Sequence, residues 1–89
     1  MILKPTTRFK KDLKIIEKRG WKVENLGKVL DNLASGSQLD ARYQNHRLAG
    51  QYSKFFECHI ENDWLLIYQI DDEEETVYLI RTGTHSDLF

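Results

Sequence analysis

Apolar residues recur at helical spacing in the first third of the chain and at a spacing of two in the last third. Phe9, Leu13 and Ile16 stand at i, i+4 and i+7 within PTTRFKKDLKIIEKRG, one stripe of a helix. Pro5 precedes that stripe, Thr6 or Thr7 is placed to cap it, and Gly20 to end it. Leu26, Val29, Leu30 and Leu33 mark a second helix in VENLGKVLDNLASG, with Gly36 near its end. MILK is short and apolar, a first strand. After the polar stretch SQLDARYQN the period changes. YSKFFECHI puts Tyr52, Lys54, Phe56, Cys58 and Ile60 on one face and Phe55, Glu57 and His59 on the other. DWLLIYQI and TVYLIRT are rich in aromatic and β-branched residues, as strands are, with EN and DDEEE as hairpin connections. The order predicts one α+β domain over residues 1–89: an N-terminal strand, two helices, then an antiparallel β-meander (β-α-α-β-β-β) with both helices on one sheet face.

Composition narrows the class. A chain of 89 residues has a thin core, burying roughly 60–65% of its unfolded surface. No apolar run approaches the length of a membrane span, no signal-peptide core is visible, and the single cysteine, Cys58, has no internal disulfide partner. A cytoplasmic location without membrane contact is the expectation. The net charge of −1 conceals an asymmetry: residues 1–28 carry nine basic side chains against three acidic ones. Lys10, Lys11, Lys14 and Lys18 fall largely off the apolar stripe of the first helix, so they face water or a partner.

The two helices cover one face of the sheet, which leaves the other for solvent or a ligand. His59 and Glu57 share a face of their strand. His59 and Asp63 flank the short turn after Ile60. Arg81 and His85 end the last strand, and His46 precedes the first strand of the meander beside Arg47. Three histidines, an aspartate and one or two arginines are therefore expected to converge. The spacings 46, 59, 63 and 85 match no zinc signature, so no metal is expected. Cys58 points into the core, where a thiol is inert. Acid–base cleavage of RNA fits these residue types: the ribose 2′-OH is the nucleophile, histidine moves protons near neutral pH, and arginine, here Arg81, meets the charge on the phosphorane. Each residue also has a purely structural role open to it. Asp63 can shape its turn, Arg81 can pair across strands with Glu57, Trp64 and Tyr68 can belong to the core, and Phe89 can pin the C-terminal segment.

NHRLAGQYSKFFECHI, ENDWLLIYQIDD and LIRTGTHSDLF together resemble the RelE/ParE superfamily of toxin–antitoxin toxins, and within it the YafQ-like ribosome-dependent endoribonucleases. The resemblance covers nearly the whole chain. It implies a metal-independent, cofactor-free enzyme that cuts mRNA in the ribosomal A site and leaves a 2′,3′-cyclic phosphate or a 3′-phosphate. It implies catalytic roles for His46, His59, His85 and Asp63, and functional roles for Trp64 and Phe89 in mRNA stacking or site support. His85 is expected as general acid, and Asp63 with His46 or His59 as general base or its orienter; residue type and spacing leave the acid and base labels exchangeable. The implied partners are a cognate antitoxin, the 70S ribosome and mRNA, with Lys10, Lys11, Lys14 and Lys18 against ribosomal RNA phosphates. The alternative within the superfamily is a non-catalytic inhibitor of a protein target such as DNA gyrase.

Overall fold

Thr6 opens the first helix with its side-chain oxygen, which accepts from the Phe9 N–H, and Gly20 closes it at φ 76° with its N–H turned back to the Glu17 carbonyl. Gly36 ends the second helix the same way. In the computed structural model, which describes residues 1–89, these helices are α1 (Thr7–Arg19) and α2 (Val23–Ser35). They follow strand β1 (Ile2–Pro5) and precede β2 (His46–Arg47), β3 (Phe56–Glu61), β4 (Trp64–Asp71), β5 (Thr76–Gly83) and a last turn of helix, α3 (His85–Leu88). No helix is long and apolar enough to cross a membrane.

The five strands form one sheet in the order β1-β5-β4-β3-β2. Strands β3 to β5 are the expected antiparallel meander; the two-residue strand β2, which pairs with β3, takes in His46 where a position ahead of the meander was expected, His85 starts α3 and does not end β5, and β1 lies parallel beside β5. A parallel return needs a crossover, and α1 and α2 supply it on a single face. Their apolar stripes, Phe9 and Ile16 with Leu26, Val29 and Leu33, pack on Cys58, Ile60, Trp64, Leu66, Tyr68, Val77 and Leu79. Each large aliphatic side chain so buried contributes about 1.5–3 kcal/mol.

The opposite face is only partly open. Leu65 stands across from His59 and Gly83, and Ile67 across from Glu57 and Arg81, so these residues share it. Leu65 and Ile67 are nevertheless buried. Leu48, Tyr52, Phe55, Ile80 and Phe89 enclose a cleft of about 170 Å³ beside Ile67. This corrects the face assigned to Tyr52. The alternation does not begin there, because residues 50–52 form a 3-10 turn. The Leu48 N–H donates to the Phe55 carbonyl and the Arg47 guanidinium to the Ser53 carbonyl, which closes a loop ahead of β3. Side-chain parity is lost across that loop, and Tyr52 and Phe55 meet on one patch.

Candidate active site

Period two places Glu57 and His59 on the same side of β3, and the β2–β3 register sets His46 directly opposite Glu57. Glu57 is 5% exposed, a carboxylate beneath two imidazoles: its Oε1 lies 3.6 Å from His59 Nε2 and 3.8 Å from His46 Nε2. The far nitrogen of each ring faces a backbone carbonyl. The Gln44 carbonyl accepts from His46 Nδ1–H at 2.7 Å and the Asn62 carbonyl from His59 Nδ1–H at 3.3 Å. A carbonyl oxygen only accepts, so Nδ1 carries hydrogen in both rings and Nε2 is the nitrogen left for proton transfer. Gln44 presents its carbonyl from a left-handed backbone, φ 50°.

The other half of the cluster comes from the β3–β4 turn and the first residue of α3, just past β5. Asp63 Oδ1 accepts twice from His85, from ring Nδ1–H at 2.8 Å and from the backbone N–H at 3.1 Å. The ring hydrogen bond, and after it the backbone one, holds the Asp63 carboxyl below its usual range. His85 Nε2 makes no hydrogen bond, and its ring centroid lies 6.1 Å from that of His59 and 6.4 Å from that of Phe89. The side chain that presents this nitrogen is rooted firmly. Thr84 and Asp87 form a reciprocal capping box on α3, and Arg19 of α1 holds Asp87 through two hydrogen bonds at 2.7 and 3.0 Å. Arg19 and the Thr84 N–H together hold the Asp87 carboxyl well below the carboxylate range.

His46, His59, Asp63 and His85 thus gather at one end of the sheet, but several expected partners do not. Asp63 is bound to His85 and not to His46 or His59, so it orients the candidate acid. Arg81 is not a free cation facing a phosphate. Asp12 of α1, itself buried, accepts from its Nε at 2.7 Å and its Nη2 at 3.1 Å, and from the Thr82 N–H at 3.1 Å. Nor does Arg81 pair with Glu57. Arg47 leaves the open face and lies over the Phe56 ring, 4.6 Å from its centroid. Trp64 is 2% exposed and donates its indole N–H to Thr82 Oγ1, so it supports the site from within and is not a surface on which a base stacks. Phe89 is 62% exposed and has that freedom. Cys58 is buried, and desolvation, with the Glu57 charge, pushes its thiol up to about 12. Lys10, Lys11, Lys14 and Lys18 are exposed and enter no ion pair. No group of three or more His, Cys, Asp or Glu side chains is disposed to hold a metal ion. Glu57 is the functional candidate that sequence reasoning passed over. Its shared face with His59 was the signal, but only the β2–β3 register brings the second imidazole to it.

The family described as bacterial toxin of type II toxin-antitoxin system, YafQ, matches residues 1–89. The mRNA interferase toxin YafQ of Escherichia coli K12 is 34% identical over 83 residues, covering 92% of this chain and 88% of that protein. A metal-bound toxin from Helicobacter pylori, known as a crystal structure, is 43% identical, with a TM-score of 0.93 over 100% of this chain and 99% of that one. The toxin chain of the E. coli DinJ-YafQ toxin-antitoxin complex is 32% identical, with a TM-score of 0.89 over 98% of this chain and 94% of its own.

Proposed function

Since the chain belongs to the YafQ family of type II toxin–antitoxin toxins, we propose that it halts translation by cutting mRNA in the ribosomal A site, by metal-independent acid–base catalysis. The observation that carries this reading is the Asp63–His85 pair. One ring nitrogen is fixed on a carboxylate at 2.8 Å while the other is left unbonded beside a second imidazole. That arrangement suits a ring that delivers a proton at a set position.

In the reaction, Nε2 of His59 or His46 takes the proton from the ribose 2′-OH. The freed oxygen attacks the adjacent phosphorus, and the bond to the 5′-oxygen breaks as His85 Nε2 gives that oxygen a proton. The products are a 2′,3′-cyclic phosphate and a 5′-hydroxyl. Glu57 supports the charge on whichever imidazole accepts the proton, and Asp63 supports protonated His85. Each proton-transfer group is worth about 10²–10⁴ in rate. With Arg81 held by Asp12, the negative charge on the phosphorane falls to the imidazolium groups and to the ribosome. Phe89 offers an exposed ring to a neighbouring base, a contact worth about 1–3 kcal/mol. Lys10, Lys11, Lys14 and Lys18 suit ribosomal RNA phosphates. As with the E. coli relative in its DinJ complex, a cognate antitoxin is the partner that restrains the toxin, and the cytoplasm is where ribosome and toxin meet.

The test is primer extension on purified ribosomes programmed with a defined mRNA. Wild-type protein should create new A-site ends. His85→Ala should lose them, and a 2′-deoxy substitution at the scissile ribose should block wild type. Equal cleavage by both proteins would overturn the reading. Growth arrest with intact messenger would instead favour a protein target such as DNA gyrase.

A further inference from the structure

Two recesses outside the imidazole cluster meet at Glu61. The first, about 440 Å³, lies between the α1–α2 turn and the β3–β4 turn and includes Trp21, Lys22 and Asn62, with Asp63 and Thr84 in its wall on the His85 side. The second, about 280 Å³, runs on between α2 and the turn at Ala41–Tyr43, bounded by Asn25, Lys28 and Arg42. Lys22, Lys28 and Arg42 are all exposed and none is in an ion pair. The one carboxylate between them, Glu61, is engaged by the Asn25 amide at 2.5 Å. The two recesses share Glu61, so a shallow channel leads from Asp63 past three cations that no carboxylate holds, Arg42 among them lying over the Tyr43 ring and donating to its hydroxyl at 2.8 Å. None of them belongs to the lysine face of α1.

We propose that this channel binds the single-stranded RNA leaving the scissile phosphate, with Lys22, Lys28 and Arg42 meeting its phosphates. The inference rests on the nuclease reading and adds a path for the substrate. A strand cut between His59 and His85 has to depart from the cluster on both sides. On one side lies the aromatic cleft of Tyr52 and Phe89, and on the other this channel opens directly from Asp63. Phosphate contacts position a strand without reading its sequence. RNA is favoured over an acidic protein segment by this continuity with a site built for phosphodiester chemistry.

The test uses the triple variant Lys22→Ala, Lys28→Ala, Arg42→Ala, all exposed positions, with thermal unfolding to verify the fold. Cleavage on programmed ribosomes should show KM raised tenfold or more. Binding of a short 2′-O-methyl RNA, which cannot be cut, should lose about 0.7 of its log–log salt slope per phosphate contact, about 2 in all. His85→Ala should bind that RNA as wild type does. An unchanged KM and salt slope would overturn the channel, as would a loss confined to kcat. Loss of antitoxin binding with RNA affinity intact would overturn it too, by assigning the cations to the antitoxin. The nuclease reading stands or falls separately, on the His85→Ala cleavage result.

Discussion

Glu57 is a buried carboxylate with a histidine Nε2 on either side, placed to meet the positive charge that either ring gains when it takes up a proton. Glu57→Gln keeps its volume and removes its charge. An interaction with a charged group is worth about 1.5–3 kcal/mol, so steady-state cleavage should fall about 10- to 100-fold with little change in fold. Full activity in that variant would remove Glu57 from the chemistry. Asp63 gives a pH prediction. Its carboxyl is held low by the His85 ring and then by the His85 N–H. A depressed folded value contributes stability that is fully present above the unfolded value and is lost as pH falls through the folded one. The Asp63–His85 contact should therefore persist through neutral and mildly acidic pH and open only below the ordinary carboxylate range. In His85→Ala, carbon-13 titration of the Asp63 carboxyl should move upward. Single residues were legible in the sequence to the degree that type alone defines their use. The three imidazoles and Asp63 were named from residue chemistry and the YafQ-like motif. The engagement of Arg81 by Asp12 was not, because it joins residues 69 positions apart through a buried carboxylate with no local signature.

At the scale of elements, α3 is a single turn that no isolated peptide would hold, since helix nucleation is unfavourable. It persists because Thr84 and Asp87 cap it and Arg19 ties Asp87 to α1. Gly83 makes the approach possible. It sits at φ 153°, and a Cβ there would lie 2.9 Å from an Asp87 carboxylate oxygen. Gly83→Ala should cost about 1–3 kcal/mol in denaturant unfolding and should displace His85 as well, so cleavage falls further than stability explains. Arg19→Ala separates those effects. It removes an exposed tether, so the thermal midpoint should hardly move while cleavage drops, and Arg19→Lys should recover part of the loss. Unchanged cleavage in Arg19→Ala would show that the capping box alone is sufficient. Elements with a long period were readable: α1 and α2 from their apolar stripes and terminal glycines, β4 and β5 from their composition. The start of β3 was not, because Tyr52 and Phe55 carry the right residue types but are folded into a turn by the hydrogen bonds of Arg47 and Leu48. The parallel pairing of β1 with β5 is also absent from any local pattern, being a contact between the two ends of the chain.

Across the whole molecule, positive charge is distributed by pairing as much as by count. Arg19 and Arg81 are neutralised by Asp87 and Asp12, the first pair tethering α3 at the surface and the second tying α1 to β5 through a buried carboxylate. Lys10, Lys11, Lys14 and Lys18 are unpaired along the exposed side of α1. Concentrated cations attract polyanions at long range, and their effect falls as salt rises. If α1 docks on ribosomal RNA, replacing these four lysines by glutamine should weaken ribosome binding most at low salt. The slope of log affinity against log salt should fall by about 0.7–0.9 for each contact removed. Replacing the lysines by uncharged glutamines leaves the imidazoles, Glu57 and Asp63 in place, so a variant crippled on ribosomes should still bind its antitoxin unless both partners use the same face. His85→Ala supplies the opposite phenotype: the ribosome is bound with the wild-type salt slope and the message stays uncut. If the lysine variant instead binds ribosomes with undiminished slope, the asymmetry of the sequence is a solvated helix face, and docking must be sought on the α2 and β2 side of the molecule.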